Sequence, residues 1–140
     1  MTDKLKAWLS FKSAVGSKPK TALELIRKYP NPEEYVGNSQ HPIYEDENIL
    51  AFNDINPAAP VHLLIIPKLH IDSLADAQDS HRSLLGKMLL LAPQLAKEQG
   101  CEDGFRTIIN TGRVGGQEVF HLHFHIIGGR ERLPGMIHHG

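Results

Sequence analysis

From residue 43 onward the apolar and polar positions change over in short runs. Ile43-Tyr44-Glu45 and Ile49-Leu50-Ala51-Phe52 flank the polar stretch Asp46-Glu47-Asn48, a pattern that predicts a hairpin. Asn53 to Pro57, followed by Pro60, predicts a turn, because proline favours extended geometry before it and cannot donate to a ladder. His62 to Ile66 is an apolar run bounded by Pro60 and Pro67, which suits a buried strand. Leu84, Met88, Leu91 and Leu95 then recur at helical spacing, with Asp79 or Ser80 as cap and Gly100 as terminator. Pro93 inside this helix is expected to kink it, since it removes one backbone bond and crowds the carbonyl of Leu89. Arg106–Asn110 reads as another strand, Thr111–Gly116 as a Gly-containing loop, and Val119–Ile127 as a final strand.

The amino-terminal third differs. Leu5, Trp8, Leu9 and Lys12 predict a short amphipathic helix over 3–14, and Thr21 with Glu24 forms a capping-box spacing for a second helix that Pro30 ends. Residues 1–40 thus form a helical extension and 41–140 the main domain. Several strands around one long crossover helix predict an α+β domain with a largely antiparallel sheet.

Composition narrows the function classes. At 140 residues, 41% hydrophobic and 22% charged, the chain is long enough for one core and too apolar for general disorder. A net charge of −1 argues against a nucleic-acid-binding surface. Residues 30–67 hold six acids and no Lys or Arg, as a solvated acidic face would. Cys101 is alone, so neither an internal disulfide nor a cysteine zinc cluster is expected. No apolar run reaches a membrane span, and the basic start lacks the apolar core of a signal peptide, so a cytoplasmic protein is expected.

Nine histidines change the picture. His121, His123 and His125 alternate with Phe120, Leu122 and Phe124, so a strand would put three imidazoles on one face and three apolar groups on the other. Two chemistries fit. The first is a metal site, in which neighbouring rings, about 6.7 Å apart at the backbone, are completed by His62, His70 or Asp54. The second is nucleophilic catalysis on phosphorus by a neutral imidazole whose other nitrogen is held by an acceptor. Gly112, Gly115 and Gly116, just upstream, allow backbone N–H groups to approach an anion. His41, His81, His138 and His139 lack such a context and read as surface residues; His70 reads as a supporting residue or a helix start.

Gly115-Gly-Gln-Glu-Val-Phe-His-Leu-His-Phe-His-Ile-Ile-Gly-Gly129 resembles the signature of the histidine-triad (HIT) family, and Gly128-Gly129-Arg130 resembles its Hint branch. Ala51 to Ile71 is similar to that branch's other long motif, and the resemblance covers about Ile43 to Arg130. It implies a HIT-like domain with a five-stranded sheet extended across a homodimer, the Asn110–Leu133 region lying near the interface. It also implies a hydrolase that cleaves purine nucleoside 5′-phosphoramidates, or related acyl and aminoacyl adducts, to AMP or GMP through a nucleotidyl-histidine, without a metal or organic cofactor.

By the same resemblance His123 is the nucleophile, with His121, His125 and His62 as catalytic partners. Asp54 is matched to the ribose hydroxyls and Asn110 to the phosphate. Phe52, Ile55 and Leu64 are matched to the purine walls, with Asn53 beside them. Gly116, Gln117, Glu118 and Val119 are matched to the phosphate-contacting lead-in. Glu118 stands where some Hint proteins carry Ser, the tail lacks a Trp found in some relatives, and the first forty residues depart from the family pattern. Two other readings remain open: a nucleotide-binding scaffold with little turnover, and a metal-binding module using two triad histidines with His62.

Overall fold

A computed structural model describes residues 43–54, 57–129 and 131–136. The two helices expected before Pro30, the extension as a whole, and His41, Ile55, Arg130, His138 and His139 lie outside the described residues.

The expected hairpin forms from β1 (Tyr44–Glu45) and β2 (Ile49–Asn53). Asp46 closes it: its carboxylate accepts from the backbone N–H of Asn48 and Ile49 at 2.7 and 2.8 Å and from the Tyr44 hydroxyl at 2.6 Å. The strand between the prolines is β3 (Val61–Pro67). Helix α1 (Arg82–Glu98) follows, and then β4 (Arg106–Ile108) and β5 (Phe124–Gly128). The sheet runs β1-β2-β3-β5-β4, with each neighbouring pair antiparallel. This is the expected α+β architecture.

Alternation along the strands divides the residues between two faces. Leu63 and Ile65 of β3, Ile49 and Ala51 of β2, and Phe124 and Ile126 of β5 join Met88, Leu91, Ala92, Leu95 and Ala96 of α1 in one core. His62 and Leu64 point to the opposite face. There Leu64 stands between Phe52 and His125 in register, so the face away from the helix carries the candidate chemistry.

The entry to the helix and the limits of the last two strands differ from expectation, whereas Gly100 ends the helix as expected. The helix is entered through a 3-10 turn, Asp79–His81, in which the Gln78 N–H donates to His81 Nδ1; neither Asp79 nor Ser80 caps it, and half-buried His81 has a structural bond. Gly100, at φ 93°, ends the helix: its N–H donates to the Lys97 carbonyl and that of Cys101 to Ala96, closing the last turn. The helix continues through Pro93, and the carbonyl that Pro93 deprives of a donor belongs to solvent-exposed Leu89. Finally, β5 begins at Phe124, not Val119, and β4 stops at Ile108, two residues before Asn110. No helix among the described residues is long and apolar enough to cross a membrane.

Met88 is fully buried at the centre of the helix–sheet contact. Met88→Ala should lower unfolding free energy by about 2–5 kcal/mol, read from the urea midpoint at unchanged slope.

Candidate active site

The final strand is shorter than its sequence pattern predicts. His121, Leu122 and His123 precede β5 and have no place in its ladder, so the strict strand alternation of three rings against three apolar groups does not hold. Leu122 and Phe124 are in the core, whereas Phe120 is exposed. The chain leaves the ladder because it has other partners there. The Leu122 N–H donates to the Ile71 carbonyl at 2.7 Å, and His121 Nε2–H donates to the Pro67 carbonyl at 2.8 Å. The first acceptor lies on the segment following β3 and the second at the last residue of β3.

This bend separates the rings into two groups. His123 and His125 have centroids 4.9 Å apart at a steep angle, and His62 lies 5.2 Å from His125. The His121 ring stands instead edge-on to His70, with centroids 4.9 Å apart. The backbone of His121 still belongs to the first group, because its carbonyl accepts from His123 Nδ1–H at 2.8 Å.

These bonds assign the ring protons. With its proton on Nδ1, neutral His123 carries its lone pair on Nε2. His62 Nδ1 accepts the Ala58 N–H at 3.0 Å, so the His62 proton sits on Nε2 and is donated to His125 Nδ1 at 2.9 Å. The His125 proton is therefore on Nε2. A nucleophilic nitrogen and a ring N–H donor thus stand on adjacent rings. Burial is the main reason all four rings resist protonation. It lowers the pKa of His121 to about 4, against the hydrogen bond to Pro67, and that of His125 to about 4, with His123 and His62 adding to the effect. His62 and His123 are lowered too, burial outweighing the opposing pull of Asp54 on each and the His121 carbonyl on His123.

Asp54 joins this group, with Oδ2 3.4 Å from His62 Nε2. One ligand atom from each of Asp54, His62 and His125 lies within 4.8 Å of the others, which is the geometric basis of the metal reading. A metal there would have to displace the His62–His125 hydrogen bond.

The other candidates lie on β2, on β3, in the loop after β4 and in the lead-in to the triad. Phe52 and Leu64 are buried, Asn53 is half-buried at the end of β2, and Asn110 is half-buried in the loop after β4. Gly116 (φ 83°) and Gly112 (φ 70°) shape the turn leading to the triad, and a side chain on Gly115 would fall 2.4 Å from the Thr111 carbonyl oxygen. Gln117 is buried with its amide committed inside the loop: Oε1 accepts the Gly112 N–H, and Nε2 donates to the Asp72 and Val119 carbonyls. Val119 is buried and Glu118 exposed. Sequence reasoning missed the Ala58 N–H, the Pro67 carbonyl and Asp72. The two backbone groups leave no side-chain signal, although Pro57 and Pro60 do mark the bend that aims Ala58.

A sheet of this order with paired imidazoles at the start of its inner strand defines the histidine-triad class. The HIT domain family model matches residues 37–132, and the chain belongs to that family. Among curated relatives, Protein HitA of Neisseria gonorrhoeae is 63% identical over 86 residues, 61% of this chain and 80% of that protein. The purine nucleoside phosphoramidase of Escherichia coli K12 is 46% identical over 99 residues, 70% of this chain and 83% of that protein. A crystal structure of a HIT family hydrolase from Legionella pneumophila superposes with a TM-score of 0.63 at 41% identity, covering 88% of this chain and 93% of that one.

The buried rings set an acid limit on stability. An unfolded histidine titrates near its ordinary 6.5, whereas His121 and His125 hold out to about 4 in the fold. Between those values the unfolded chain binds more protons, so stability falls as pH falls, by up to about 1.4 kcal/mol per pH unit for each group. Thermal melts should decline as pH falls from 6.5 toward 4; a midpoint unchanged over that range contradicts the neutral assignment.

Proposed function

We propose that this HIT-family hydrolase cleaves purine nucleoside 5′-phosphoramidates, or related acyl and aminoacyl nucleotide adducts, through a nucleotide held covalently on His123. The observation that carries the reading is the His123 Nδ1–H bond to the His121 carbonyl, which holds the proton on Nδ1 and so puts the lone pair on Nε2. Similarity to the E. coli purine nucleoside phosphoramidase supports the substrate class.

In the first step His123 Nε2 attacks phosphorus and the bond from phosphorus to the amine nitrogen breaks. The amine takes up one proton, drawn from solvent by way of the His125 Nε2–H, and His123 becomes a nucleotidyl-imidazolium. Water then attacks phosphorus, the nucleoside monophosphate leaves, and the proton returns to solvent. His62 holds His125 in the tautomer that presents Nε2–H. Asp54 and Asn53 are proposed to contact the ribose side. Phe52, Leu64 and Ile55 are proposed to wall the purine, and Asn110 with the 116–119 lead-in to receive the phosphate. No step calls on a metal or organic cofactor. The catalytic unit is proposed to run from 41 to 140, with 1–40 as a separate extension, in a cytoplasmic protein.

The second reading rests on the Asp54, His62 and His125 cluster. Stoichiometric zinc that survives dialysis of untagged protein, with no turnover, would favour it. A scaffold with vestigial activity would bind nucleotide and show no burst.

His123→Ala should reduce kcat to less than about a tenth of wild type while leaving nucleotide affinity and the melting curve nearly unchanged. Asp54→Ala should raise KM more than it lowers kcat; equal falls in kcat and kcat/KM would give Asp54 a transition-state role instead. Steady-state kinetics on a panel of purine and pyrimidine phosphoramidates reads both effects and the base preference.

We also propose a homodimer joined through β4, one of the two edge strands of the sheet among the described residues. Sedimentation equilibrium should return twice the 15.6 kDa chain mass; a single-chain mass at working concentration contradicts this.

A further inference from the structure

The segment after β3 has a second cluster of titratable groups, Asp72, His70 and His121, that the proposed chemistry does not use. His121 Nε2 is bonded to the Pro67 carbonyl, His121 Nδ1 lies 3.0 Å from His70 Nδ1, and His70 Nε2 is bonded and ion-paired to the Asp72 carboxylate. The same segment takes the Leu122 N–H on the Ile71 carbonyl and the Gln117 amide on the Asp72 carbonyl. Residues 67–72 therefore brace the lead-in to the triad at several points, two of them on the His121 ring.

Counting hydrogens makes this cluster unusual. The Pro67 carbonyl and the Asp72 carboxylate only accept, so each of those contacts needs a ring N–H, and the contact between the two rings needs a third. Two neutral imidazoles carry only two. The pair thus holds one extra proton, and its charge is matched by Asp72. The position of the proton follows from exposure. His121 has no contact with solvent, whereas His70 borders a hollow of about 300 Å³ shared with Asp72, Asp76, Gln78 and His81. The solvent-facing His70 is thus placed to donate from both nitrogens, to Asp72 and to His121 Nδ1.

We propose that His70, held by Asp72, is a positioning residue for the reaction, pinning the His121 ring so that the His121 carbonyl keeps the His123 proton on Nδ1. The Pro67 carbonyl holds the His121 ring at Nε2, and His70 holds it at Nδ1. With both in place, ring and backbone are fixed together, and with them the carbonyl that selects the nucleophilic tautomer. The role rests on the proposed phosphoramidate chemistry, but the hydrogen-bond chain can be tested without it.

Long-range ¹H–¹⁵N spectra of the full wild-type chain at neutral pH should show His70 protonated on both nitrogens, His121 on Nε2 only and His123 on Nδ1. A single ring N–H on His70 overturns the proposal, whether or not any variant folds. His70→Ala should lower kcat about tenfold or more with KM within about twofold, and should mix the His123 tautomers. His70→Gln, whose amide can donate to His121 Nδ1, should recover at least about a third of the lost rate. A kcat for His70→Ala within about twofold of wild type, or a lost rate with an unchanged His123 spectrum, contradicts the role. If wild type itself turns over no phosphoramidate, the proposed function fails while the spectra still decide the hydrogen-bond chain.

Discussion

One hydrogen bond orders the site: the 2.8 Å donation from His123 Nδ1 to the carbonyl of His121. An imidazole has two nitrogens and, when neutral, one proton. A protein that needs a nucleophile at one nitrogen must therefore hold the proton at the other. A backbone carbonyl does this without adding a charge. Its position depends on where residues 119–123 run, and that depends on the bonds these residues make to the segment after β3. Leaving the β5 ladder before Phe124 is the cost of bringing the carbonyl and the ring within reach of each other.

The same economy governs the rest of the pocket. His62, His121, His123 and His125 would repel one another if protonated, and burial keeps them neutral. Neutral rings still need partners. The Ala58 N–H, the Pro67 carbonyl, the His121 carbonyl and the rings themselves supply them, and among the described residues no buried side-chain nitrogen or oxygen lacks a hydrogen bond. Each ring's tautomer is thus set by its neighbour, from Ala58 through His62 to His125. Asp54 lies beside His62, and it opposes the loss of proton affinity at His62 and His123 without reversing it.

The sheet was legible in the sequence where pattern and punctuation agreed. Prolines bracket β3, Asp46-Glu47-Asn48 marks the hairpin, and a helical stripe ending at Gly100 marks α1. The family motif likewise pointed to His62, His123 and His125, which the fold brings together. What the pattern could not show was a change of backbone path inside a run that looks like a strand. His-x-His-x-His alternates whether or not its first rings are in a ladder, and only tertiary bonds to Pro67 and Ile71 show that they are not. Gln117 was legible as a residue type but not as a loop clamp, because its three partners are backbone atoms. Asp79 and Ser80 are good capping residues that instead form part of a 3-10 turn, Asp79–His81, whose N-cap position is Gln78.

The most direct measurement of the central claim is the site of attachment in a nucleotide-labelled intermediate. Wild-type protein would be mixed with excess radiolabelled purine nucleoside phosphoramidate, quenched in alkali within one turnover and digested for mass spectrometry and phosphorus NMR. The account predicts an acid-labile nucleotide on His123, bonded through Nε2, because Nδ1 is occupied by the proton held at the His121 carbonyl. Label on Nδ1, label on another residue, or product formed with no labelled protein during the burst would contradict it.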